Sequence, residues 1–290
     1  MNKNSLFVFS IVISAVVAFA VSKYVVGPTE AVSHKETAYE RVIRTGTLKC
    51  GYEFWDGGFM QDPKTNELHG PWKDFLEEFG RIAKIKIEWS DHVGWGQFPA
   101  DLKSGKMDAM CAGVWQDAVR AKEIALSVPM VYTGLEAFTP NDEHRFDGNL
   151  KSVNSPDVNI MVIEGDTSDF IAQQDFPLAK RVPLGTLNAT DSDLFMSIGA
   201  KKADVTFDLT GLWRQYDKIN PGKVRRIDPG HYLKVIGVGV AFNNEDLRLQ
   251  QLVNVGIAEM MNSGAIDRIL KKYETDYPDM FMKSAPAYVP

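Results

Sequence analysis

The chain has 290 residues, 44% of them hydrophobic and 24% charged, and a formal net charge of −6. This is a globular composition, neither disordered nor fibrous, and it is long enough for one large domain or two of moderate size. The acidic balance, with no arginine-rich or aromatic-plus-basic stripe, argues against nucleic acid or an anionic membrane surface as the main partner.

The N-terminus stands apart. One lysine occurs in Met1–Ser5, and Leu6 to Val21 is then apolar except for Ser10 and Ser14. Ala18-Phe19-Ala20 is an A-x-A pattern, so residues 1–22 read as a cleaved secretory signal. That reading is favoured; the alternative is an N-terminal membrane anchor, since Val25 and Val26 continue the apolar run beyond Lys23, although the run is slightly short for a span. Both readings place the folded part outside the cytoplasmic membrane. Residues 23–38, polar and containing Pro28, read as a linker.

The remainder alternates strand-like and helix-like phrases. "TLKCGY" (47–52) is a short apolar strand. Asp74-Phe75-Leu76-Glu77 has the D-x-x-E spacing of a capped helix start, and Phe75, Leu76, Phe79 and Ile82 share one helical face. "IKIEW" (85–89) alternates as a strand, and "WGQFPADLKSGK" reads as a short helix stopped at Gly105. "MDAMCAGV" is a buried strand, after which Arg120 falls at an expected helix start. "VNIMVI" (158–163) is another strand. Thr190 to Asp193 is a helix cap, followed by the strand phrase "KKADVTFD". "VIGVGVAF" (235–242) is a strand, and 246–273 is an amphipathic helical region broken at Ser263-Gly264. Strands alternating with helices predict an α/β fold with parallel strands. The similar phrases "LKSGKMDAM" and "SIGAKKADV" suggest two lobes of like construction.

Cys50 and Cys111 sit in the apolar phrases "LKCGY" and "DAMCAG". Export makes a disulfide chemically possible, but bridging neighbouring parallel strands is geometrically awkward. They therefore read as buried free thiols. Two cysteines without CxxC spacing make no zinc site, and no metal or cofactor is expected. His34, His69, His92, His144 and His231 are scattered in polar contexts and form no HExxH or triad-like signature. Asp56-Gly57-Gly58 is a turn signal, not a phosphate loop.

"VIRTGTLKCGY", "ELHGPWKDFLEEFGRIAK", "WGQFPADLKSGKMDAM", "AGVWQDAVRAKEIALSVPMVY" and "VGVAFNNEDLRLQQLVNVGIAEMMNSGAIDRILKKY" follow one another in the chain. In this order they resemble the extracytoplasmic solute-binding proteins of amino-acid ABC importers, family 3, of the type II periplasmic-binding-protein group. The resemblance runs from about Tyr39 to Tyr277. It implies two α/β lobes joined by a two-strand hinge and closing on a ligand. Lobe 1 would be 39–135 plus 233–285 and lobe 2 would be 136–232, with 286–290 a tail. The crossings would lie near "YTGLEAFTP" and "HYLKVIGVG".

The resemblance also implies site residues. Arg120 matches the arginine that grips a ligand carboxylate, for which a guanidinium fork is suited. Backbone N–H groups from Gly113 onward would assist. Trp115 stands where relatives have a ligand-touching threonine, Glu53 at a pocket position after the first strand, and Thr167 and Ser168 in a turn of lobe two. The aspartate that receives an α-amino group falls by position on Leu209, with Asp208 one place earlier. That displacement opens the question of whether an α-amino group is recognised. Phe54, Trp55 and Trp95, with Trp115, would make the cleft aromatic.

The expected function is capture of a small carboxylate-bearing solute, an amino acid or derivative, in the periplasm for an ABC permease. The protein would act as a monomer, without nucleic acid, cofactor or catalysis. Two alternatives remain beside it. One is a cyclohexadienyl (prephenate or arogenate) dehydratase-like enzyme, with Glu53, Asp56, Glu164 or Asp208 as candidate acid. The other is a membrane-anchored sensory ligand-binding module.

Overall fold

The computed structural model describes residues 36–184 and 189–283. The apolar N-terminal run, nearly all of the expected linker and the expected tail lie outside these residues. Among the described residues no helix is long and apolar enough to cross a membrane.

In chain order the elements are α1 (Ala38–Thr45), β1 (Thr47–Tyr52), β2 (Met60–Gln61), β3 (Leu68–His69), α2 (Pro71–Ala83), β4 (Lys86–His92), α3 (Phe98–Ser104), β5 (Ala109–Trp115), β6 (Ile124–Leu126) and β7 (Val131–Pro140). There follow β8 (Asn159–Ile163), α4 (Thr167–Asp175), β9 (Lys180–Leu184), α5 (Asp191–Gly199), β10 (Thr206–Leu209), α6 (Thr210–Ile219), β11 (Val224–Arg226), β12 (Lys234–Asn243), α7 (Leu247–Asn262), α8 (Ala265–Tyr273) and β13 (Met282–Lys283). The fold is α/β and two-lobed, as the strand–helix alternation predicts.

Each lobe has its own apolar core. The first is built from Leu48, Phe75, Phe79, Met110, Val238, Phe242 and Ile257, among others. The second is built from Phe138, Ile160, Phe195, Phe207 and Ile236, among others. In the first, β1 runs parallel to β4 and to β5. β5 is buried on both faces up to Val114, which is why "AMCAGV" is apolar without alternation.

β7 and β12 pair antiparallel and pass from one core to the other. Val131 belongs to the first core and Leu135 to the second; on β12, Ile236 belongs to the second and Val238 to the first. This is the two-strand connection. At the crossing Gly237 faces Tyr132. A Cβ there would lie 2.8 Å from the Pro129 ring and 2.9 Å from Gln116 Oε1, so the close approach requires glycine. β13 adds to β7 beside the crossing, with Met282 opposite Tyr132. The Thr133 hydroxyl donates to the Met280 carbonyl at 3.1 Å.

Two local expectations shift. The helix expected at the Asp74–Glu77 cap begins at Pro71, with Gly70 at the N-cap. Proline is preorganised for the first helical position, and Asp74 instead accepts from Lys272 and Tyr273 at 3.1 Å each. Arg120 opens only one 3₁₀ turn, Arg120–Lys122. There the Asp117 carboxylate accepts the N–H groups of Val119 and Arg120 at 2.9 and 2.8 Å. Such an Asx turn competes with a continuing helix, and β6 then pairs with β12.

The cysteines are the clear correction. Cys50 and Cys111 are bonded to each other, with Cα atoms 5.5 Å apart. Cys50 lies opposite Ala109 in the β1–β5 register, so its partner sits two residues further along, not directly across. That diagonal offset brings the Cα separation within the ordinary disulfide range, which the argument from adjacent strands overlooked. The bond closes a sequence separation of 61 residues. Replacing both cysteines by alanine is expected to lower the unfolding free energy by about 2–4 kcal/mol in denaturant titrations. An unchanged midpoint and slope would contradict this.

Candidate functional site

Parallel strands leave their C-terminal ends and the following loops on one edge, where α/β proteins assemble sites. In the first lobe those ends are Tyr52 and Trp115, followed by Glu53–Asp56 and by the Asp117–Arg120 turn. In the second lobe β8 and β9 are parallel, and a parallel bridge from Ile160 to Val205 sets the approach to β10. α4 and α6 start within a few residues of β8 and β10, and α5 starts at Asp191. The chain thereby gathers Asp166, Asp191 and Asp208 at one edge.

Trp55, Trp115 and Phe281 pack against both cores and so mark where the lobes meet. The Trp55 indole N–H donates to the Ala112 carbonyl at 2.7 Å, and its ring meets Phe281 edge-on. Phe54 packs on Tyr52, Phe59 and His92, and Trp95 packs edge-on against Phe98; both rest on the first core. The structure therefore brings Trp55 and Trp115 to the meeting of the lobes, and keeps Phe54 and Trp95 with the first.

Arg120 is held next to this boundary. Its side chain is only 16% exposed; Nη1 donates to the Trp115 carbonyl at 3.2 Å and lies 4.0 Å from Asp117 Oδ2. The contact with Asp117 is long for a hydrogen bond, and most of the guanidinium fork is left without a carboxylate. The positive charge also acts on Asp166 of the second lobe, favouring its ionised form. Gly113 is buried with φ +89°, and a Cβ on it would stand 2.3 Å from the Trp72 ring. Glycine is required there for packing, whatever its N–H does. The Trp72 indole N–H is itself buried without a partner.

In the second lobe Thr167 and Ser168 open α4 and are buried. The Ser168 hydroxyl accepts the Ile163 N–H at 3.1 Å, so it is engaged in holding the loop. Asp208 is only 2% exposed, whereas Leu209 is fully buried in the second core. Alternation along β10 thus turns Asp208, not Leu209, away from the core. Asp208 Oδ1 accepts the Leu209 N–H at 2.7 Å, while Oδ2 is buried with no hydrogen-bond partner. Glu136 lies directly opposite on β7 and takes the local donors. It accepts from the Thr210 hydroxyl, from Arg226 at 3.3 Å and from the Gly230 N–H at 2.8 Å.

The remaining expected acids divide. Glu53 accepts its neighbour Phe54's N–H at 2.8 Å and is paired with His92 Nε2 at 2.7 Å. Glu164 is exposed. Asp56 is exposed, and its charge disfavours ionisation of Asp191 and Tyr277.

Asp166 and Asp191 were not singled out from the sequence, because they look like ordinary helix-start acids. Asp191 follows Thr190, whose hydroxyl and Asp193 form a reciprocal capping box. A helix N-terminus normally favours a carboxylate. Here burial and like charges win. Burial first, then the charges of Asp166 and Asp56, push Asp191 up to about 7. Burial and the charge of Asp191 hold Asp208 well above the ordinary carboxylate range. Asp166 is raised mainly by burial, with the Thr167 N–H and Arg120 opposing. Among the described residues no acidic or histidine group has metal-binding geometry.

The chain matches the family model described as bacterial extracellular solute-binding proteins, family 3, over residues 50–276. It belongs to that family. No curated protein matches it by sequence. A solved ancestral amino-acid-binding protein, AncCDT-1, described as a precursor of cyclohexadienyl dehydratase, is similar with TM-score 0.69 and 21% identity, covering 82% of this chain and 99% of that one. A putative ABC-transporter binding component from Wolinella succinogenes, complexed with lysine, has TM-score 0.68 and 18% identity, covering 81% and 97%. A histidine kinase sensor domain similar to periplasmic binding proteins has TM-score 0.66 and 15% identity, covering 82% and 98%. These likenesses establish the two-lobed fold.

Because Asp191 holds its proton more tightly folded than unfolded, folding takes up a proton between about pH 4, the ordinary aspartate value, and about 7. Stability of the ligand-free protein is therefore expected to fall as pH rises through that window, by at most a few kcal/mol. In Asp191→Asn the decline should be clearly shallower, since the Thr190–Asp193 box is untouched. Equal slopes in thermal melts from pH 4.5 to 7.5 would contradict it.

Proposed function

We propose that this family member captures an amino acid or close derivative in the cleft between the lobes and delivers it to an ABC permease. The observation carrying this reading is a pair of opposite, unsatisfied groups on facing lobes. Arg120 presents a largely unpaired guanidinium fork, and Asp208 presents a buried carboxylate oxygen with no donor. A carboxylate bound at Arg120 and an ammonium at Asp208 would supply what each lacks; a buried polar atom left alone costs about 1–3 kcal/mol. Trp55 and Trp115, lying against both cores, would wall the ligand from water. Residues 39–135 with 233–285, and 136–232, would move as the two halves about β7 and β12.

Delivery to a permease needs an exported protein, with residues 1–22 serving as signal or anchor. The Cys50–Cys111 bond supports an oxidising compartment such as the periplasm. The protein is read as a monomer without cofactor. The dehydratase alternative draws on one feature, the partly exposed Asp191, pushed up to about 7 by desolvation and neighbouring carboxylates and so suited to protonating a leaving hydroxyl. Loss of prephenate followed by ultraviolet absorbance tests it; the binding reading predicts no turnover.

Titration calorimetry across the twenty L-amino acids is expected to find saturable binding for a small subset. Each binder should raise the melting temperature, since about 100 times Kd of ligand adds about 2.7 kcal/mol. Arg120→Ala should weaken binding at least about 100-fold. A flat response to the whole panel would refute amino-acid capture, and unchanged affinity in Arg120→Ala would remove Arg120 from the site.

A further inference from the structure

We propose that residues 274–283 form a strap that joins the two lobes independently of β7 and β12 and restrains their separation in the ligand-free protein. The segment leaves α8 of the first lobe, docks on α6 of the second and ends as β13 on the hinge strand β7.

The order of its apolar residues traces the crossing. Tyr273 packs against the first core and Tyr277 against the second; Met280 is buried in the second, and Phe281 touches both. Phe281 meets Trp55 and Trp72 edge-on, with ring centroids 5.8 and 6.5 Å apart. Met280 lies between two glycines, one from each lobe. A Cβ on Gly57, in the loop after β1, would stand 2.5 Å from Met280 Cε and 2.9 Å from the Tyr277 ring. A Cβ on Gly211, in the first turn of α6, would stand 2.9 Å from Met280 Cα and Sδ. Neither lobe leaves room for a side chain there, so the methionine rests on bare backbone of both.

Polar contacts fix the same segment. The Asp276 carbonyl accepts from Gln215 Nε2 at 2.8 Å and from Lys218 Nζ at 3.3 Å, and Asp279 pairs with Arg214; these three partners lie on α6. The Thr133 hydroxyl and β13 then hold the segment to β7 at the crossing. The strap is thus attached to both bodies and to the hinge. If the lobes part while it stays with the second, Phe281 loses Trp55 and Trp72, and Met280 loses Gly57. If it stays with the first, Met280 leaves the second core and the α6 contacts break. Either way apolar surface returns to water, which opposes opening. Hinge strands alone would absorb the motion in a few backbone angles.

The test is a distance between the lobes, read by pulsed electron paramagnetic resonance in the full-length, ligand-free protein. Spin labels are placed through Lys103→Cys on α3 and Gln174→Cys on α4, both exposed; the native cysteines are already bonded to each other. With the strap intact the labels should give one narrow distance distribution. Met280→Ala should add a longer, broader population, and Phe281→Ala should do the same. Phe281 is only partly buried, so its variant keeps the test decisive if Met280→Ala fails to fold. Asp142→Ala breaks an exposed pair with Lys201 inside the second lobe and should leave the distance unchanged. A narrow, unshifted distribution in Phe281→Ala would overturn the strap. So would an equal broadening in Asp142→Ala, which would mean general loosening, or a broad distribution in the protein with its strap intact.

Discussion

Carboxylates drawn out of water without their own counter-ions are the constraint on which the rest depends. The protein sets Asp166, Asp191 and Asp208 at the exits of the second lobe's strands, at the first turns of helices or beside them. Helix dipoles offset part of the cost, yet Asp191 still binds a proton near neutrality. A fold that wanted only stability would pair these acids, as it pairs Asp169 with Arg181 or Glu136 with Arg226. Leaving Asp208 Oδ2 donorless while Glu136 opposite is well supplied is the pattern of a site waiting for a partner.

The scaffold makes that arrangement tolerable. The two cores are separate, and antiparallel β7 and β12 run between them. On the first lobe the Cys50–Cys111 bond ties β1 to β5, the strands whose ends carry Glu53–Asp56 and Trp115. Gly113 admits the Trp72 ring against β5, and Trp55 is anchored to Ala112. The segment after α8 continues to the second core through Met280 and returns to the hinge as β13. The first lobe thus carries Arg120 after β5, and the second carries the buried Asp208.

Much of the fold was legible in the sequence, because unbroken apolar strands, Gly105 and the Thr190 cap each have a local cause. Family phrases then pointed to the crossings at β7 and β12. The phrase around Arg120 located it just past the β5 exit, but its 3₁₀ turn was not legible, since the Asx turn of Asp117 competes with a helix only in detail. The disulfide was misread because strand adjacency was weighed without register. Asp166 and Asp191 were missed because a carboxylate at a helix start has an ordinary local explanation; only tertiary proximity to Asp208 and Asp56 makes them unusual. The choice between Asp208 and Leu209 needed the actual phase of β10. Glu53 followed the family position, but its pairing with His92 depends on β1 meeting β4.

The most direct measurement is a crystal structure of the protein grown with whichever amino acid calorimetry identifies. The account predicts one molecule between the lobes, its carboxylate on the Arg120 guanidinium and its ammonium on Asp208. A ligand seated elsewhere, or one in the cleft with Arg120 turned to solvent and Asp208 still without a donor, would contradict it.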